Sequence, residues 1–336
     1  PEPAYESRDK IWAVMKPILD GIHELEIVGI EWLNDEGILW DPRDVEKVAD
    51  YMKQKKVDCL FMPHTNFGCE EVCGMLGRKL NVPFLLWGPR DEVPPEDLTI
   101  DRPLDVQCGL FATSMVLRRY QVPFTYIENC WLDSPVLKQG IEDFVRAASV
   151  VKAFRNLRIG QISTRPRPFL SVKVNEGELL EKFGIELVPI NGTEITNTIN
   201  DFLENHPEEI QKEMEIIYSE VDCTAVSETY VKNTAALVLT FQYLAERYGC
   251  TAFASECWEV IPQNFDIWPC YAFGRLSELG IPVGCETDIH NAISSVMAVA
   301  AARWETEVFT SDLTIRNPYN DNSELLWHCG PFPRTL

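Results

Sequence analysis

The chain has 336 residues, 46% of them apolar, and a net charge of −22 from 30 basic against 52 acidic residues. That length exceeds what one ordinary domain holds, so two or more layered units are expected. A surface this acidic lacks the basic face that replaces phosphate counterions, which excludes a nucleic-acid partner and favours small or cationic ones.

In chain order, helical periodicity over Ile11–His23 gives way to the strand-like "LEIVGIEWL". The helical "DVEKVADYMKQKK", the strand "VDCLFMPH", the helix "GCEEVCGMLGRKL" and the strand "VPFLLWGP" follow. After them come "LDVQCGLFATSMVLRRY", "VPFTYIEN" and a helix from Pro135 to about Arg155. Short apolar strands bounded by Pro and Gly, each followed by an amphipathic helix, are the pattern of a parallel sheet with helices on both faces. The alternation restarts at Leu157–Thr164, "LRIGQIST", and runs through "IELVPI". An acidic helical stretch near Asp201–Tyr218 and a long helix around Val226–Tyr248 come next. "CTAFASE", "PCYAFGRLSELG", "IPVGCE", a nearly uncharged helix and the strand "EVFTSD" complete it. The expected fold is α/β, with two tandem flavodoxin-like doubly wound parallel-sheet domains over 1–155 and 156–305. Residues 306–336 are expected to begin a C-terminal region that is truncated here. The first element is a helix, so an upstream strand is expected to be missing.

The 11 cysteines are odd in number and scattered singly through apolar runs. They read as reduced, buried thiols of a cytoplasmic protein, and Cys69 and Cys73 as one helix face rather than zinc ligands. No uncharged run is long enough to span a bilayer and no signal peptide is visible, so no membrane association is expected. Asn191-Gly192-Thr193 matches a glycosylation sequon but reads here as a turn.

Ligands of such sheets bind at the carboxyl ends of strands. In the first unit those positions are His64, Thr65, Asn66 and Phe67, then Trp87 and Arg90, then Glu128, Asn129 and Trp131. In the second they are Thr164–Arg167, Glu256–Trp258, Glu286, Asp312 and His328. G-x-G-x-x-G, Walker and G-x-S-x-G motifs are all absent, so dinucleotide, nucleotide and esterase readings lack their cradle or nucleophile. Glu286, Asp312 and His328, each at the end of one of three successive strands, make a hard-to-borderline ligand set suited to a divalent ion such as Mn2+. Each has a plainer reading. Thr287 or Asp288 caps the helix with Glu286 favoured by its dipole, Asp312 forms a turn, and His328 is a hydrogen-bonded core histidine. Glu256 and Trp258 read equally as sugar contacts, for hydroxyls and an apolar ring face, or as a rim ion pair and a core aromatic.

"GIPVGCETDIHNAISSVMAVAA", followed by "FTSDLTIRNPYNDNSELLWHCGPFP", resembles the metal-site region of the L-fucose/L-arabinose isomerase superfamily. The match is closest to the L-fucose isomerase-like branch with its "LLWHCG" motif, and its specific part covers roughly Phe253–Leu336. The resemblance implies a metal-dependent aldose–ketose isomerase of carbohydrate metabolism, an intramolecular oxidoreductase working through a cis-enediol. It makes Glu286 and Asp312 both metal ligands and proton carriers, and the arabinose branch adds His328 as a ligand. It implies Mn2+ or another divalent cation, a small sugar substrate, and a homo-oligomer whose site is shared between subunits. The first-unit residues His64, Asn66, Phe67 and Trp87 would then touch sugar across an interface. The family's last histidine ligand lies in a C-terminal barrel, and further sugar-binding residues lie on a first strand-end loop. Both fall outside this chain, so an incomplete metal shell and weak catalysis by residues 1–336 alone are expected. The runner-up is a non-catalytic two-lobed sugar-binding or regulatory protein. An isomerase relative with lost activity, binding metal without turnover, is a third reading.

Overall fold

The computed structural model describes residues 2–91 and 104–335. The chain divides into two compact units, Pro1–Ser149 and Val150–Leu336. In the first, α1 (Glu2–Asp20), α2 (Val45–Gln54), β1 (Leu60–Pro63), α3 (Glu70–Leu80), β2 (Phe84–Trp87), α4 (Val106–Arg119), β3 (Thr125–Tyr126) and α5 (Pro135–Phe154) alternate. The three strands form one parallel sheet in the order β1-β2-β3, with a further bridge from Pro89 to Cys130. Phe84 and Leu86 face a core with α2, α3 and α4, while Leu85 and Trp87 face another with α1 and α5. That is the period-2 alternation of a strand covered on both sides. The expected strand in "LEIVGIEWL" is not formed. Ile30 and Leu33 pack against the core from an irregular loop, which turns where the Leu33 N–H reaches the Ile30 carbonyl.

The second unit holds β4 (Arg158–Ile162), α6 (Glu176–Phe183), β5 (Glu186–Ile190), α7 (Gly192–Asn205), α8 (Pro207–Glu220) and α9 (Glu228–Tyr248). It continues with β6 (Ala252–Ser255), α10 (Val260–Phe265), α11 (Cys270–Glu278), β7 (Val283–Gly284), α12 (Ile289–Ala301), β8 (Asp312–Arg316) and β9 (Glu324–Trp327). Its parallel sheet runs β5-β4-β6-β7. Counted from β4 this is 2-1-3-4, the flavodoxin-like order, whose crevice opens where the winding reverses beside the first strand. β6 is buried at every position, as a central parallel strand should be. The Phe253 ring covers Gly160 on neighbouring β4, where any side chain would collide with it.

Two local expectations are corrected. Asn191 starts a helix rather than a turn, its Oδ1 accepting from the Glu194 N–H at 3.0 Å. The acidic stretch is two helices, because Pro207 has no N–H to continue α7 and instead opens α8.

The region after α12 also departs from expectation. "EVFTSD" is not a strand ending on Asp312. Asp312 opens β8, which pairs antiparallel with β9 around the turn-forming "NPYND". Asp312 lies opposite Trp327, so the hairpin itself brings Asp312 and His328 to one end. Among the described residues, no helix is long and apolar enough to cross a membrane.

Candidate active site

Strand β7 stops at Gly284, and Cys285–Thr287 form a tight turn before α12. Two residues of that turn are left-handed, Glu286 at φ 54°, ψ 26° and Thr287 at φ 55°. This conformation is uncommon for any residue with a Cβ and an outlier for a β-branched one. The turn is held by Thr287, whose hydroxyl donates to the Ile162 carbonyl at the end of β4 (3.2 Å). Asp288 has extended backbone and accepts from the Asn291 N–H at 3.0 Å, so it is the cap of α12.

Glu286 has other partners. The Cys257 thiol approaches its Oε1 at 3.8 Å, and the Trp258 indole N–H bonds its carboxylate. Burial raises the proton affinity of Glu286 above that of an ordinary glutamate, and the negative charge of Asp312 adds to the rise. A His328 cation and the bonds from Trp258 and Cys257 act the other way. Residues after β6, after β7 and at the base of the β8–β9 hairpin therefore bear on one half-buried carboxyl.

His328 is buried, with Nδ1 3.0 Å from the Thr310 carbonyl. A carbonyl only accepts, so Nδ1 carries the hydrogen and Nε2 keeps a lone pair for a proton or a metal. Gly330 lies against the ring, leaving no room for a side chain. Asp312 is exposed. Among the described residues, the group of at least three His, Cys, Asp or Glu side chains with donor atoms all within 4.8 Å of one another is Cys257, Cys285 and Glu286. Asp312 and His328 act on Glu286 from outside that group.

Glu256 serves its own loop. It is buried, with Oε1 accepting from the N–H groups of Trp258 (2.6 Å) and Glu259 (2.9 Å), and Oε2 from that of Val260 (2.9 Å). Three charge-assisted bonds fix the segment that carries Cys257 and Trp258. Trp258 is 43% exposed and packs edge-on against Phe169, with centroids 4.9 Å apart. Glu256→Gln turns an N–H donor toward backbone donors and is expected to cost about 1–3 kcal/mol of stability. Urea denaturation checks this; unchanged stability with a raised KM would return Glu256 to the sugar.

In the first unit, His64 is buried. The Met62 backbone bonds the ring, and Nε2 lies 2.9 Å from the Thr113 hydroxyl. Asn66 Oδ1 accepts from the Gly68 N–H at 2.9 Å, Phe67 is 39% exposed, and Trp87 is fully buried.

Sequence reasoning passed over Cys257 and Cys285, treating them as ordinary buried thiols. The readable signal was a cysteine just past the end of each of two successive strands, in "FASECWE" and "VGCETD".

Fold and site together define a parallel α/β protein whose second unit, of flavodoxin-like winding, carries a half-buried acid, an oriented histidine and an open tryptophan at its strand ends. Residues 2–155 match the family model for the fucose/sulfoquinovose isomerase N-terminal domain. The chain is similar to proteins named sulfoquinovose isomerase: 23% identical to that of Priestia aryabhattai over 90% of this chain and 67% of the relative. It is 25% identical to that of Alkalicoccus urumqiensis over 75% of this chain and 55% of the relative. A third, from Clostridium sp. (strain MSTE9), is 21% identical over 85% and 62% respectively. These matches support a relative of the fucose isomerase-like proteins, with the family model matching residues 2–155.

Proposed function

We propose that the protein is a metal-dependent aldose–ketose isomerase of carbohydrate metabolism. The observation that carries this is Glu286, a half-buried carboxyl of raised proton affinity, in a strained turn at the strand ends. His328 and Asp312 both bear on it. Isomerisation needs a group that takes a proton from one carbon and returns it to the neighbouring one through a cis-enediol. In this reading Glu286 is that carrier, its raised proton affinity suiting it to hold the proton between the two carbons. Asp312, exposed at the hairpin base, serves as the second acid–base group. Trp258 offers its open ring to the apolar face of the sugar and its N–H to Glu286, fixing the carboxylate's orientation.

By chemical type the donor set suits a divalent cation: two carboxylates, and an imidazole whose Nδ1 is held by the Thr310 carbonyl so that Nε2 is the metal-facing nitrogen. Glu286, Asp312 and His328 would hold Mn2+ or a similar ion, which would polarise the sugar carbonyl and acidify the adjacent C–H. The family resemblance supports a cytoplasmic homo-oligomer.

The test is metal analysis of purified protein together with Mn2+-dependent ketose formation from an aldose panel, sulfoquinovose and uncharged sugars included. A divalent ion bound and ketose produced from one aldose is expected. Sugar binding with neither metal nor ketose would instead establish the two-lobed binding protein. Trp258→Phe keeps an aromatic face but loses the N–H. It is expected to leave KM within a few-fold while lowering kcat about tenfold and moving the acid limb of the pH–rate profile upward, since the lost bond favours the ionised Glu286.

A further inference from the structure

We propose that Cys257, Cys285 and Glu286 form a binding site for a soft divalent cation of the Zn2+ or Cd2+ class, held by two thiolates and one carboxylate oxygen. Strands β6 and β7 are parallel neighbours with Ala254 opposite Gly284. Cys257, two residues past β6, and Cys285, the first residue past β7, therefore reach the same sheet edge. Both are buried, at 7% and 3% exposure. Their thiols are hydrogen-bonded to each other, and Cys257 Sγ lies 3.8 Å from Glu286 Oε1. All three donor atoms fall within 4.8 Å of one another. Tetrahedral zinc, with bonds of about 2.3 Å to sulfur and about 2.0–2.2 Å to oxygen, sets its ligands roughly 3.5–4 Å apart. The three side chains thus stand close to the spacing the ion requires.

The backbone beneath them is fixed. Glu256 ties down the segment carrying Cys257, and the Thr287–Ile162 bond ties down the turn carrying Cys285 and Glu286. Cys270, only partly buried, is near enough to bear electrostatically on Cys285. Binding balances as the cation replacing two thiol protons, which go to solvent, while the carboxylate contributes its existing charge. Two thiolates select a softer ion than Mn2+, which prefers oxygen and imidazole. The site stands on these three side chains. It rests on the isomerase reading only for its consequence, that a soft cation occupies Glu286 and blocks turnover.

Co2+ titration of the 336-residue chain tests the site without an activity assay. One equivalent is expected to produce a near-ultraviolet sulfur-to-cobalt charge-transfer band that Zn2+ abolishes. Cys257→Ser and Cys285→Ser should each remove the band. They should weaken Zn2+ binding by more than the roughly 10–100-fold that loss of an outer-shell partner costs. Cys108→Ser, in the first unit, should change nothing. Zinc-edge X-ray absorption on the wild-type chain needs no variant to fold and should show two sulfur neighbours. A zinc shell of nitrogen and oxygen alone, or a full-strength cobalt band in Cys257→Ser, overturns the proposal. Mn2+ binding by the two serine variants is read separately. Its retention leaves the isomerase site standing whichever way the thiol result falls.

Discussion

Glu286→Gln is expected to keep the fold, lose Mn2+ affinity and lower turnover by about 10²–10⁴-fold, the range a positioned acid–base group supplies. Gln is nearly isosteric and still bonds the Trp258 indole, but its amide is a poorer ligand and cannot accept a proton from carbon. The stability consequence has a definite sign. Burial raises the proton affinity of Glu286 in the folded chain, so the folded state holds the proton more tightly than the unfolded one. That contribution is fully present below the ordinary glutamate value of 4.5 and is lost as pH rises through the raised folded value. Above that raised value the metal-free wild type carries a half-buried charge that the Gln variant lacks, and there Glu286→Gln should melt no lower than wild type. Glu286→Gly goes further, because glycine adopts φ 54° freely. It should be equally inactive and gain about 1 kcal/mol from relieved backbone strain. Asp288→Asn is the control. Asn caps as well as Asp, so stability should change by a few tenths of a kcal/mol and turnover little. Calorimetry with steady-state kinetics on the three variants decides it. Equal activity losses at 286 and 288 would remove Glu286 from its assigned role.

Much of this was legible from the residues, and the reasons are local. Apolar runs such as "LRIGQI" and "CTAFAS" are short, flanked by turn residues and followed by amphipathic helices, so parallel strands and their positions could be read directly. The acids of "CETD" could be flagged as strand-end groups, with Asp288 expected to start the helix, and Asp288 does cap it. The bend at 286 was not legible, because positive φ at a glutamate has no composition signal. The β8–β9 hairpin was misread because "EVFTSD" and "LTIR" are both apolar enough to pair. The choice falls to whichever segment finds a partner, and "ELLW" pairs with the second. Glu256 reads as an exposed acid in any sequence window. Only the fold reveals that three backbone N–H groups of its own loop surround it. The thiol pair is non-local in the same way. Cys257 and Cys285 are 28 positions apart and meet only because β6 and β7 are neighbours.

His64 is expected to make the first unit acid-sensitive by roughly 3 kcal/mol between pH 6.5 and 4, and to do so as a core residue rather than a sugar contact. Burial lowers its proton affinity from the ordinary 6.5 to about 4, while the bond to the Met62 backbone works the other way. Nε2 lies 2.9 Å from the Thr113 hydroxyl, which also bonds the Cys73 thiol. Protonating the ring places a charge in a buried site closely packed by Gly68 and Gly88. The unfolded chain therefore takes up the proton first. The stability His64 preserves is complete above pH 6.5 and is lost progressively as pH falls toward 4. His64→Gln has no titration in this range, so it should show a flatter dependence even if it costs about 1–2 kcal/mol at neutral pH through imperfect bonding. Urea denaturation of both proteins at several values between pH 7.5 and 4.5 measures the difference, and an NMR titration of the ring resonances follows the proton itself. Parallel pH curves, or a ring that titrates near 6.5, would show that His64 is reachable by solvent and restore it as a candidate ligand contact.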